Sequence, residues 1–199
     1  MMFNSKIKAS ELIEGIKDEA DIEYPIPDET WLILLNEVEQ KLYSEIIKEQ
    51  KKAELQYSED GVYNMAEIPV SEDEDEVLTD DICYVFSGNM QLIKSTVASG
   101  VIFPDTWYIN GNNLCARPEN PAENIVLIYN VRPKLKTKDY DGTVRVPYHF
   151  LDLIRSKLRG EGYKLANEDV LAAKWLNDYN VLLENFKAYV QSRKANFGQ

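Results

Sequence analysis

The side chains able to do chemistry in this 199-residue chain are few. There is one histidine, His149, and there are two cysteines, Cys83 and Cys115. A Ser-His-Asp relay would have a single base to draw on, and a multi-histidine metal centre cannot be assembled. His149 follows Val146-Pro147-Tyr148 and reads as a partly exposed residue in the first turn of a helix. The cysteines fall in strand-like runs and read as buried, unreactive thiols. Two thiols are too few for a disulfide framework or a four-thiolate zinc site. The run Glu72-Asp73-Glu74-Asp75-Glu76 suggests a cation, yet it lacks the glycine and the closing bidentate Glu of a calcium loop. Adjacent carboxylates repel one another, so a solvated loop is expected. Gly142, Gly160 and Gly162 do not follow a strand into a helix as a phosphate cradle requires, and there is neither a Gly-x-Ser-x-Gly elbow nor a His-Glu-x-x-His pair. Trp107-Tyr108, with Tyr84 and Phe86, could stack on a sugar, but strand propensity alone accounts for these aromatics. The sequence therefore predicts no catalytic centre, no cofactor and no metal site.

The elements that must carry these residues divide into helical ends and a strand-rich middle. Ser10 to Ala20 reads as a short helix with Ser10 as its N-cap and Leu12, Ile13 and Ile16 on one side. Pro25 and Pro27 break it. Asp28 is expected to cap a longer helix running to about Lys51, with Trp31, Leu35, Val38, Leu42 and Ile46 on one face. Short runs rich in Val, Ile and Tyr then follow: 55–57, 62–68, 82–86, 91–94, 106–109, 113–116 and 124–131. Ser87-Gly88-Asn89 and Asn110-Gly111-Asn112 are hairpin turns, the second joining Trp107-Tyr108-Ile109 to Leu114-Cys115-Ala116. Helix resumes at Pro147, with Phe150, Leu151, Ile154 and Leu158 as its buried stripe and Gly160 and Gly162 as its end. Asn167 is expected to cap a last helix with the stripe Leu171, Trp175, Tyr179, Leu182, Phe186 and Val190. From Gln191 the periodicity lapses, which predicts a tail.

The charge is uneven. There are 22 Lys and Arg against 34 Asp and Glu, a formal net charge of −12, which argues against nucleic-acid binding by the whole surface. From Ser58 to Asp81 ten residues are acidic and none is Lys or Arg. Arg132, Lys134, Lys136 and Lys138 form a basic stretch, and Lys187, Arg193 and Lys194 make the end of the chain basic. Such separation suits contact between copies of the chain or docking to a charged partner, and a solvated surface accounts for it equally well. The candidate contact residues are Arg132, Lys134 and Lys136 on the basic side and Glu72, Asp73, Glu74, Asp75 and Glu76 on the acidic side. The longest apolar run, Trp31 to Leu35, is far too short to span a membrane, and Met1 to Ser10 has no apolar core of a secretion signal.

Three stretches together resemble the head-to-tail connector proteins of tailed bacteriophages. Ser10 to Ile47, with Asn36-Glu37 and Leu42-Tyr43, resembles the family's opening pair of helices. Pro104 to Leu114, then Pro118, Ile125 to Tyr129 and Pro133, resembles its hairpin and outgoing strand. Val146-Pro147-Tyr148 to Leu158, followed by Asn167 to Phe186, resembles its closing helices. The acidic loop and the segment from Leu55 to Ile68 fall outside the resemblance. The resemblance implies a virion structural protein of the neck, assembled in the host cytoplasm. Such proteins form a homo-oligomeric ring, commonly of twelve copies, beneath the portal protein. A tail or second neck protein binds below, and DNA passes through the lumen without specific binding. It also implies that the C-terminal segment reaches the portal, which makes Lys187, Arg193, Lys194, Asn196, Phe197, Gly198 and Gln199 the portal-docking candidates.

The expected fold is α+β: a helical bundle made by the N- and C-terminal helices, 1–52 and 144–199, with an antiparallel β-sheet domain, 53–143, inserted between them and carrying the acidic loop 71–81. The rival reading is an acidic DNA mimic that inhibits a nuclease or restriction system, motivated by the net charge and the carboxylate-rich loop.

Overall fold

The structure, a computed structural model, describes residues 5–20, 22, 25–72, 74–95 and 103–197, with side chains as far as 194. The fold is α+β, with α-helices and a mixed seven-stranded sheet. The chain forms two compact units, Met1–Ile47 together with Pro133–Gln199, and Lys48–Arg132.

In the first unit, α1 (Ala9–Glu19) buries Ala9, Leu12, Ile13 and Ile16, the side its spacing predicts. Its N-terminus is capped from a distance. Ser10 lies inside the helix, and Asp141 accepts its N–H at 2.9 Å and its hydroxyl at 2.7 Å. This corrects the expectation that Ser10 is itself the cap. Ser5 N–H to Val144 C=O, at 3.0 Å, and Val144 N–H to Ile7 C=O, at 2.8 Å, hold the preceding residues to the same segment.

The second helix, α2 (Asp28–Leu42), follows the proline break and buries Trp31, Leu35, Val38 and Leu42. Its cap position is Pro27, and Asp28 is the first helical residue. The expected run to Lys51 is cut short. A π-helical turn, Tyr43–Ile47, widens the last turn, and Lys48 takes φ +47°, which a helix cannot continue through. Residues from Gln50 are strand.

Pro147 precedes a single 3₁₀ turn, Tyr148–Phe150, and α3 (Leu151–Leu165) follows. Gly160 and Gly162 do not end this helix; both are buried within it. A Cβ on Gly162 would run into the Trp31 indole, and one on Gly160 would lie 2.7 Å from Leu176. The glycines are there for close approach. The stop is Asn167, at φ +60°. Glu168 N–H bonds back to Tyr163 C=O at 2.8 Å, and Asn167 N–H to Lys164 C=O at 3.1 Å. These two bonds are a Schellman ending, so Asn167 closes α3 and does not cap the next helix. The last helix, α4 (Asp169–Phe197), contains the residues expected to be a tail. It buries Ala172, Tyr179, Phe186 and Val190. Trp175 and Leu182, assigned to the buried stripe, are only partly covered, and Leu171 is exposed.

The second unit contains β1 (Gln50–Gln56), β2 (Val62–Asn64), β3 (Ile82–Ser87), β4 (Met90–Lys94), β5 (Thr106–Asn110), β6 (Asn113–Arg117) and β7 (Asn124–Asn130), in the spatial order β1-β7-β3-β4-β5-β6-β2. Both predicted hairpins form. Gly88 and Gly111 take φ +59° and +60°, and Tyr108 faces Cys115 across the β5–β6 pair. The expected fully antiparallel sheet is corrected at one point: β4 and β5 are parallel, pairing Ile93 with Thr106 and Lys94 with Trp107. Burial alternates along β7, where Ile125, Leu127 and Tyr129 are buried. In β6 the consecutive residues Leu114, Cys115 and Ala116 are all buried.

The helix contact at Gly162 is testable by denaturant unfolding. Gly162→Ala is expected to destabilise by about 1–3 kcal/mol, because the methyl displaces the Trp31 ring. Gly15→Ala in α1 meets nothing within 4 Å and is expected to stabilise by up to about 1 kcal/mol.

Candidate interaction surfaces

The basic stretch of the sequence does not form a free basic surface. In the first unit Lys136 is 3% exposed and ion-paired with Glu39 on α2. The other Glu39 oxygen accepts the Arg145 N–H at 2.6 Å. Asn36 grips the Lys136 backbone from both sides: its amide donates to the carbonyl and its oxygen accepts the N–H, each at 2.8 Å. Lys136 is therefore corrected from surface contact to interior tie. Lys134 sits 4.6 Å over the Tyr140 ring, and Lys138 lies 3.7 Å from Glu29. In the second unit Arg132 donates to Asp81 at 2.9 Å.

The acidic segment divides in the same way. Glu74 is 4% exposed, paired with Lys51, and accepts the Ser71 N–H at 3.3 Å. Asp81 is buried, taking Arg132 on one oxygen and the Leu78 N–H on the other at 2.8 Å. The expectation of a wholly solvated loop is corrected at Glu74, whose partner Lys51 is 23 residues away and leaves no local signal. Glu72 and Glu76 are exposed and Asp75 is partly so. Asp73 lies outside the described residues. Elsewhere in the unit, the Ser58 hydroxyl holds the exposed Asp60 below its ordinary range, helped by the Val62 N–H and Arg117.

The portal-docking candidates lie along the last turns of α4. Lys187 pairs with Glu184 at 2.7 Å, the Arg193 guanidinium lies 5.2 Å over Tyr189, and Lys194 donates to the Ile46 carbonyl at 3.4 Å. Asn196 and Phe197 are helical in backbone. Gly198 and Gln199 lie outside the described residues.

The helical unit also has a cleft of about 510 Å³ between α3 and α4, lined by Asp152, Arg155, Ser156, Arg159, Trp175, Asp178, Val181 and Leu182. Arg155 bonds Asp152 at 3.1 Å. Arg159 pairs with Glu19 and lies 4.7 Å over the Trp175 ring. Burial draws the Arg159 pKa below its ordinary value. A cleft of about 360 Å³ in the sheet unit is lined by Tyr57, Glu59, Gly61, Phe103, Pro104, Ala116, Arg117 and Pro118.

The remaining reactive side chains are dispersed. His149 is exposed, with its ring 4.6 Å from Phe150 and edge-on to Tyr189 at 5.2 Å. Cys115 is buried; Cys83 is partly exposed, bonding the Asp81 carbonyl at 3.5 Å. Trp107 is buried in the sheet with Lys94 at 5.0 Å from its ring, so it offers no stacking face to a sugar. Among the described residues, no three His, Cys, Asp or Glu side chains converge on a point that could hold a metal. No described helix is long and apolar enough to cross a membrane. No protein-family model matches the sequence, and no curated protein is significantly similar to it.

Two predictions concern the ties to α1 and α2. Lys136→Met leaves Glu39 buried without its counter-charge and is expected to cost about 3–5 kcal/mol in denaturant unfolding, part of which Glu39→Gln recovers in the double variant. Burial pushes Asp141 upward, but the Ser10 N–H, the Ser10 hydroxyl and Lys8 outweigh it, holding the group below its ordinary 3.8. A carboxyl depressed on folding adds stability above its unfolded pKa and loses it as pH falls through the folded value. The midpoint of unfolding, followed downward from neutral pH, should therefore fall more steeply in the native chain than in Asp141→Ala. That variant is expected to lose about 0.5–2 kcal/mol at neutral pH, as for a helix cap.

Proposed function

We propose that this chain is a head-to-tail connector of a tailed bacteriophage, a structural protein that forms a ring, commonly of twelve copies, beneath the portal vertex. The observation that carries the reading is the division of the chain. Both ends of the sequence contribute to one helical unit, and the residues between them form a separate sheet unit. That division fits the arrangement expected from the periodicity, terminal helices as a bundle with a sheet domain between them, and the helix–strand–helix order on which the resemblance rests.

The charge distribution supports the role physically. Residues 48–132 hold 15 acids and 6 bases, whereas 133–199 hold 8 acids and 12 bases. An acidic lining repels phosphates and lets DNA slide through without sticking, while the more basic C-terminal part carries the opposite charge toward portal protein. On this reading the docking segment is the end of α4, with Lys187, Arg193 and Lys194, and the side away from the portal receives the tail or second neck protein. A DNA mimic needs unpaired carboxylates spread along a face, and the internal pairing of Glu74 and Asp81 removes two of its ten.

The test is negative-stain imaging of the purified chain, alone and mixed with portal protein of the same virus. Rings, or ring-capped portals, are expected. Removal of residues 196–199 is expected to weaken portal binding without changing the melting temperature. A chain that stays monomeric and ignores portal protein overturns the reading.

A further inference from the structure

The outer edge of β1 is an open strand. The odd residues of β1 face β7: Val131 N–H reaches Glu49 C=O and Tyr57 N–H reaches Glu123 C=O, each at 2.8 Å, in the register that pairs Ala53 with Leu127. The N–H and C=O groups of Gln50, Lys52, Glu54 and Gln56 therefore point away from β7. Among the described residues no backbone or side-chain group bonds them. The opposite edge of the sheet is β2, only three residues long. Short strands are protected against pairing; a seven-residue edge is not.

We propose that β1 is a self-association edge, on which a second copy of this chain pairs β1 with β1, antiparallel about a two-fold axis at Ala53. The register follows from two constraints. Outward groups exchange both hydrogen bonds only when even residues face even residues. A two-fold axis at residue 52 would then oppose Lys52 to Lys52, and one at residue 54 would oppose Glu54 to Glu54. The axis at Ala53 opposes each Lys52 to a Glu54 and each Gln50 to a Gln56. Opposite charges across a strand pair stabilise it and like charges destabilise it, so charge selects this register. Lys52 and Glu54 already form an exposed pair along one strand, and the second copy adds the cross-strand partners.

Two features remove the usual obstacles. An inward-pointing lysine blocks many edges, but the Lys51 ammonium is held by Glu74 and by the Ser71 hydroxyl at 2.9 Å. Copies carrying −12 repel one another, yet with Lys51 paired to Glu74 the outward Lys52 and Glu54 balance and leave the edge locally neutral. The inference is independent of the connector reading. A two-fold contact closes on itself and yields a dimer, not a ring. In a chain that also enters a ring, it is the state held in solution before assembly.

Sedimentation equilibrium of the full chain without portal protein tests it. A monomer–dimer equilibrium is expected. Lys52→Glu and Glu54→Lys are each expected to raise the dissociation constant by about tenfold or more. Their side chains are 55% and 54% exposed, so folding should be retained, and circular dichroism checks this. An equimolar mixture of the two variants should associate as tightly as the native chain, because the doubled charge of one faces the opposite doubled charge of the other. A native chain that is monomeric throughout, as it would be if the edge served only a foreign extended segment, overturns the proposal. So do variants that dimerise like the native chain, or a mixture no tighter than either variant alone.

Discussion

The helical unit depends on a polar clasp along one face of α2. Asn36, Glu39 and Gln40 stand three and four residues apart, which places them side by side on a helix. They hold the returning chain at three points: Asn36 and Glu39 at Lys136, Glu39 again at the Arg145 N–H, and Gln40 at the Pro133 carbonyl at 2.7 Å. These bonds are directional, so they fix the path of residues 133–145 along the helix in a way that apolar contact alone does not. The clasp also closes the chain around the whole sheet unit. Closure entropy grows only slowly with loop length, so one good clasp can tolerate an insertion of that size.

From this fixed path the rest of the helical unit follows. Residues 141–144 arrive beside the N-terminus of α1, where Asp141 supplies the cap and Val144 pairs with Ser5 and Ile7. The chain then enters α3, whose two glycines allow Trp31 and Leu176 to approach the backbone closely. Glycine in a helix costs about 1 kcal/mol relative to alanine, and here that cost is offset by apolar contact that any larger residue would prevent.

Charge in this molecule is organised by pairing across the fold and not by runs along the chain. Lys134, Lys136 and Lys138 alternate along one short segment, yet they meet a tyrosine ring, a buried glutamate and a surface glutamate. Glu74 and Asp81 each find a cation in another part of the sheet unit. A buried charge without a partner is costly, so the positions drawn inside are those with a counter-ion waiting. What stays outside includes the carboxylates of Glu72, Glu76 and Asp80.

Local chemistry determined much of this protein from sequence alone. The Asn110-Gly111-Asn112 hairpin, the strand β7, the buried face of α1 and the proline break before α2 were all legible, because each follows from neighbours within a few residues. Tertiary structure decided the rest. Gly160 and Gly162 look like a helix end, and only the arrival of Trp31 and Leu176 explains why the helix runs through them. Asn167 looks like a helix start and is a helix stop, since the bonds that define its role come from α3 behind it. Lys136 and Glu74 look like surface charges until Glu39 and Lys51 are brought to them, and nothing in either strand's own sequence marks β4 and β5 as a parallel pair. Asn167 apart, whose partners lie just behind it in α3, the physical reason is the same: a partner distant in sequence supplies the deciding energy, and no local pattern records its approach.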